Sequence, residues 1–138
     1  MAVVKKVLLS GALALGLLGC TSMTTMTPAQ FNQLTPTQIP FSGYWSGTTG
    51  TAISTLKLDR QGRGQLCMDN RQDLMSYKVK LLNNELYTDQ GIKFKVKELT
   101  SQTAVMQMSL LGVGATFNMG KDDQLKQISV LCQQVLNR

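Results

Sequence analysis

The chain has 138 residues, 43% of them hydrophobic, with 14 Lys and Arg against 8 Asp and Glu, a net charge of +6 and no histidine. That length supports one domain with one core. Lacking histidine, it has neither the commonest general base nor the commonest metal ligand, and its modest positive balance falls far short of a nucleic-acid-binding signature, so no nucleic acid partner is expected.

Lys5 and Lys6 precede an apolar run over residues 7–18, followed by Gly19 and Cys20. The run is shorter than the roughly 20 residues a membrane-spanning helix needs. A basic start, a short apolar stretch and a small residue before the cut form the layout of a secretory signal. Leu17-Leu18-Gly19-Cys20 resembles the lipobox of bacterial lipoproteins. The resemblance implies removal of residues 1–19, acylation of Cys20 and attachment to a membrane through that lipid. Thr21 stands where an Asp would retain such a protein in the inner membrane, which favours the outer membrane, facing the periplasm.

Residues 20–40 are rich in Thr, Gln, Met and Pro and read as a lipidated cysteine followed by a flexible tether. Within them Thr27-Pro28 can start a short helix, with Thr27 as N-cap, Pro28 in the first turn, and Phe31 and Leu34 on one face. Residues 41–138 form the predicted folded domain.

There the period changes to two. Tyr77, Val79 and Leu81 alternate with Lys78 and Lys80; Ile92, Phe94 and Val96 alternate with Lys93, Lys95 and Lys97; Ala104, Met106, Met108 and Leu110 alternate with Val105, Gln107 and Ser109. This is the pattern of strands with one face buried. Asn83-Asn84 fits a two-residue turn that pairs Leu81 with Leu86 and Lys80 with Tyr87. Asp89-Gln90-Gly91 fits a three-residue turn that pairs Leu86 with Phe94 and Tyr87 with Lys93. Further hairpins are expected at Gln61-Gly62-Arg63, Thr100-Ser101, residues 111–114 and Lys121-Asp122-Asp123. At the C-terminus the spacing of Leu125, Ile128, Cys132 and Val135 is helical while that of Ile128, Val130 and Cys132 is strand-like. The Asp-rich turn before them favours a strand to about Cys132.

Eight or nine short strands in an antiparallel meander, all-β, must close into a small barrel or a strongly curled sheet to hide their apolar face. In the oxidising compartment that the signal implies, Cys67 and Cys132 are an even pair and are expected to be bridged, tying an early strand to the last one. Without histidine they do not make a zinc set.

No catalytic constellation stands out, and nothing calls for a cofactor. Asp59, Asp69, Asp73, Glu85, Asp89, Glu98, Asp122 and Asp123 fall mainly in turns and read as solvated turn formers. Three features are candidates for binding. Gly43-Tyr44-Trp45 resembles the Gly-x-Trp opening of lipocalins and other calycin barrels, which implies an up-and-down barrel with an interior ligand site; in an ordinary barrel Trp45 plugs the core. Met106, Met108 and Met119 with Phe117 suit either an adaptable apolar cavity or plain packing. Lys78, Lys80, Lys93, Lys95 and Lys97 form a ladder, with Tyr87 between Lys80 and Lys93. It serves either an anionic envelope surface or polymer, or solubility.

The placing of Cys67 and Cys132 is also similar to that in small periplasmic lipoproteins that inhibit lysozyme, although the Ser-Gly-x-x-Tyr loop of those inhibitors is absent. The leading expectation is a non-enzymatic, lipid-anchored accessory or interaction module of the envelope. The alternatives are a carrier of small apolar ligands in a lipocalin-like barrel and an inhibitor of a lytic enzyme.

Overall fold

The computed structural model describes residues 26–110 and 113–137. The signal segment, Cys20 and the two residues between the seventh and eighth strands lie outside these. In chain order the elements are α1 (Pro28–Gln33), β1 (Gly43–Thr49), β2 (Ala52–Leu58), β3 (Arg63–Asp69), β4 (Leu74–Leu82), β5 (Glu85–Thr88), β6 (Lys93–Leu99), β7 (Thr103–Leu110), β8 (Val113–Lys121) and α2 (Val130–Leu136). The eight strands form an antiparallel meander closed into a barrel. Closure is made where β1 meets β8, with Trp45 opposite Lys121 and Ser46 opposite Gly120.

Local turn chemistry sets the central registers. Asn83 takes φ 55° and Gly91 takes φ 83°, the left-handed conformations their turns require. Leu81 then faces Leu86 and Lys80 faces Tyr87, while Leu86 faces Phe94 and Tyr87 faces Lys93, as the sequence predicts. Two hairpins have weaker signals: β1 turns into β2 through Gly50, at φ 60°, and β3 turns into β4 through Arg71, at φ 73°.

Alternate residues fill the interior. Trp45, Leu66, Leu86 and Phe94 are fully buried, and Phe94 meets Phe117 edge to face at 5.7 Å. An eight-stranded barrel is just wide enough for its own side chains. The gap among Leu56, Leu81, Leu86, Val96 and Met106 is too small to admit a water molecule. Burial of each Leu, Phe or Met here contributes about 1.5–3 kcal/mol.

Residues 26–40, whose composition reads as a tether, lie against the barrel. Thr27 and Gln30 make a reciprocal capping box at the start of α1, which fixes that helix as predicted. Beyond it Thr37 N–H donates to Leu81 O at 2.7 Å, and Ile39 N–H donates to Arg60 O at 2.9 Å. Gly62 lets this strap approach closely, since a Cβ there would lie 2.2 Å from Thr37 O. Ile39 and Phe41 pack on the core, and the Phe41 ring meets Trp45 edge to face at 6.0 Å.

The C-terminus departs from expectation in three ways. No hairpin forms at Lys121-Asp122-Asp123 and no strand runs to Cys132; residues 130–136 are the helix α2. The reason is closure: β8 pairs with β7 on one edge and β1 on the other, so no edge is left for a ninth strand. Asp122, read as a solvated turn former, is only 6% exposed. Its carboxylate accepts the backbone N–H groups of Lys126, Gln127 and Ile128 at 2.8–3.1 Å, which gathers the chain before Ser129 caps α2. Cys67 and Cys132 are bridged as expected, across 65 positions, yet the bond clamps α2, rather than a last strand, to the outer wall of the early strand β3.

Candidate binding groove on the outer wall

Cross-strand register brings four side chains into a row on the outer face: Tyr44 lies opposite Lys57, Lys57 opposite Gln65, and Gln65 opposite Lys78. A second row, two residues along, sets Arg63 opposite Lys80. Helix α1 overhangs these rows with Phe31 and Asn32. Together they line a groove of about 650 Å³, within the usual range for small-ligand sites, about 300–1,000 Å³.

The groove is basic and unneutralised. Lys57, Arg63, Lys78 and Lys80 form no ion pair among the described residues. Asp59 is the one carboxylate in the lining, and it is tied into its own turn, accepting from Gln61 N–H at 2.8 Å and Arg63 N–H at 3.0 Å.

Two of the cations are built into the walls. Lys80 donates to the carbonyls of Phe31, Asn32 and Leu34 at 2.8, 3.1 and 3.1 Å, closing the C-terminal end of α1. Burial first, then the nearby Arg63, holds its pKa below the ordinary lysine value. Lys57 donates to Leu136 O at 3.1 Å at the end of α2 and stands 5.6 Å from the centre of the Tyr44 ring. Among the described residues the Arg63 guanidinium donates only to Gln61 Oε1, at 2.9 Å, and the Lys78 ammonium makes no hydrogen bond. These two are available to an incoming anion.

The lysine ladder is therefore divided by α1. Lys78 and Lys80 fall in the groove. Lys93, on the other side, pairs with Glu85 at 3.5 Å, and the Tyr87 hydroxyl donates to the same carboxylate. That hydroxyl, above all, holds the Glu85 pKa below the usual carboxylate value, and the same bond, with burial, raises that of Tyr87. Lys95 and Lys97 are exposed on β6, where Lys97 sits in a bulge between Val96 and Glu98.

The apolar candidates take their places in the solid core. Trp45, Met106, Phe117 and Met119 are buried and Met108 is half-buried. Trp45 donates its indole N–H to Thr100 O at 3.2 Å, with the Lys121 ammonium 5.4 Å from its ring centre. Asp123 completes this clasp, accepting Tyr44 N–H at 3.0 Å and pairing with Lys121 at 3.2 Å. The Tyr44 N–H, foremost, then Lys121 against opposing burial, lowers the Asp123 pKa. No group of three or more His, Cys, Asp or Glu among the described residues could hold a metal.

Lys78 and Lys80 are legible in the sequence as candidates, but Lys57, Arg63, Tyr44 and Phe31 are not legible as their partners. Alternation in β2 marks Lys57 as outward. The missing signal is the β3–β4 turn, without which Gln65 cannot be set beside Lys78.

No curated protein and no solved structure matches this chain. Residues 28–136, which hold every strand and helix among the described residues, match the family described as bacterial lipocalin LPS transport optimiser YedD, and the chain belongs to that family.

Proposed function

We propose that this protein is a non-enzymatic accessory of lipopolysaccharide transport, held in the cell envelope by lipid on Cys20 and acting through its outer wall. The family's description supplies the process. The lipobox-like Leu17-Leu18-Gly19-Cys20 supports the anchor. One observation carries the mode of action: the interior is filled by Trp45, Phe94, Met106 and Phe117, while an unneutralised basic groove lies outside. Any carrier role thus belongs to the outer groove.

The test is pulse-labelling of newly made lipopolysaccharide in cells lacking the protein. Its arrival at the cell surface should slow, the wild-type gene should restore it, and Cys20→Ser should fail to restore it. Unchanged arrival in the deletion strain would reject the transport reading.

A further inference from the structure

We infer that the groove between α1 and strands β1–β4 binds a phosphate-bearing amphiphile, with Arg63 and Lys78 taking the phosphate and the open face of Tyr44, backed by the buried Phe31, receiving the apolar chain. The inference deepens the transport reading and rests on it only for the biological source of the ligand.

Charge is the first argument. Four cations line one concave surface with no ion pair among them, and the only lining carboxylate is engaged by its own turn. Such a surface concentrates anions. Geometry selects the kind of anion. Arg63 lies one strand from Lys78 and two residues along, so their stems rise about 5 Å and 7 Å apart in the two directions of the sheet. A tetrahedral dianion can bridge that spacing, accepting the arginine fork on one side and the lysine point charge on the other.

The apolar side is equally defined. Phe31 is 4% exposed, with Lys80 ammonium 4.8 Å from its ring centre, and Tyr44 is half-buried beneath Lys57. Both rings are fixed by cations that are themselves bonded to helix ends, so the apolar lining is in place before a ligand arrives. Position agrees as well. With lipid on Cys20, the seven residues 21–27 can extend at most about 25 Å, which keeps the start of α1, at one side of the groove, within about that distance of the bilayer surface.

Titration of the full-length protein, disulfide intact, with dihexanoyl phosphatidic acid below its micelle concentration tests this, followed by backbone amide NMR. Saturable shifts should centre on Tyr44, Lys57, Arg63 and Lys78, with inorganic phosphate binding at least about tenfold more weakly. Arg63→Gln with Lys78→Gln should lower affinity at least about tenfold, while Lys93→Gln with Lys95→Gln leaves it unchanged. All four positions are exposed, so these variants fold. Equal affinity in the groove double variant, equal binding of neutral dihexanoyl glycerol, shifts centred on Phe94 and the interior, or no binding would each overturn the assignment. Short-chain phosphatidylglycerol and a diphosphorylated lipid A disaccharide, compared in the same way, distinguish phospholipid from lipopolysaccharide as the source. Failure of binding alongside a transport defect in the deletion strain would remove the groove assignment and leave the transport reading standing.

Discussion

Lys80 fastens Phe31 to the barrel twice over: its ammonium stands 4.8 Å from the centre of the ring and donates to the carbonyl of the same residue at 2.8 Å. Lys80→Met keeps the aliphatic stem and removes the charge. It should cost about 1.5–3 kcal/mol, the scale of hydrogen bonds that involve a charged group. Hydrogen exchange at the Phe31 and Leu34 amides should accelerate while that at Phe94 stays slow; slow exchange at all three would contradict this latch.

Cys67 and Cys132 enclose 65 positions, so in the chain-entropy model their bond contributes about 4 kcal/mol by restricting the unfolded chain. Cys132→Ser should lower the urea midpoint by that measure. Because β1 and β8 close the barrel independently, strand amides should remain protected while α2 loses protection at Cys132 and Leu136. Loss of barrel protection in the same variant would show that the bond holds the strands as well.

Acid should weaken the fold through two carboxylates. Asp123 is lowered chiefly by the Tyr44 N–H, and Glu85 chiefly by the Tyr87 hydroxyl. A carboxyl whose folded pKa lies below its unfolded one stabilises the fold above the unfolded value, about 3.9 for Asp and 4.3 for Glu, and loses that contribution as pH falls through the folded value. Stability should therefore drop as pH falls below about 5. Asp123→Asn with Glu85→Gln should flatten that drop in urea titrations, and an undiminished slope would assign it to other groups.

Ser54 and Thr55 are both fully buried, but only Thr55 has a partner, the Ser46 hydroxyl at 2.7 Å; the Ser54 hydroxyl has none among the described residues. Ser54→Ala removes an unsatisfied group and should raise stability by about 1 kcal/mol, whereas Thr55→Val orphans Ser46 and should lower it by about as much. Thermal melts of the two variants should move in opposite directions.

What was legible in the sequence follows the range of the interactions. The pairings of Leu81 with Leu86 and of Leu86 with Phe94 are written in adjacent turns, and both were readable from Asn83-Asn84 and Asp89-Gln90-Gly91. The capping box of α1 was half readable, since Thr27 and Pro28 lie next to each other, but its docking depends on Lys80, 49 positions from Phe31. Residues 125–135 carry strand and helix spacing at once, and only the occupation of both edges of β8 decides between them. Half of the groove was visible because Lys78 and Lys80 alternate on one strand. Lys57 and Arg63 join them through pairings that no local pattern encodes.

A filled interior writes two messages into each strand. Along β4, Val79 and Leu81 answer to the volume of the core, while Lys78 and Lys80, one residue away, answer to the groove. A saturation library scored once for protein abundance and once for binding of dihexanoyl phosphatidic acid should separate Val79 and Leu81 from Lys78 along β4. Inner letters would fail the first assay and Lys78 only the second, while Lys80, which also latches α1, would register in both. Neighbouring codons of one strand are then free to evolve at different rates, and what this protein recognises can change without touching what makes it fold.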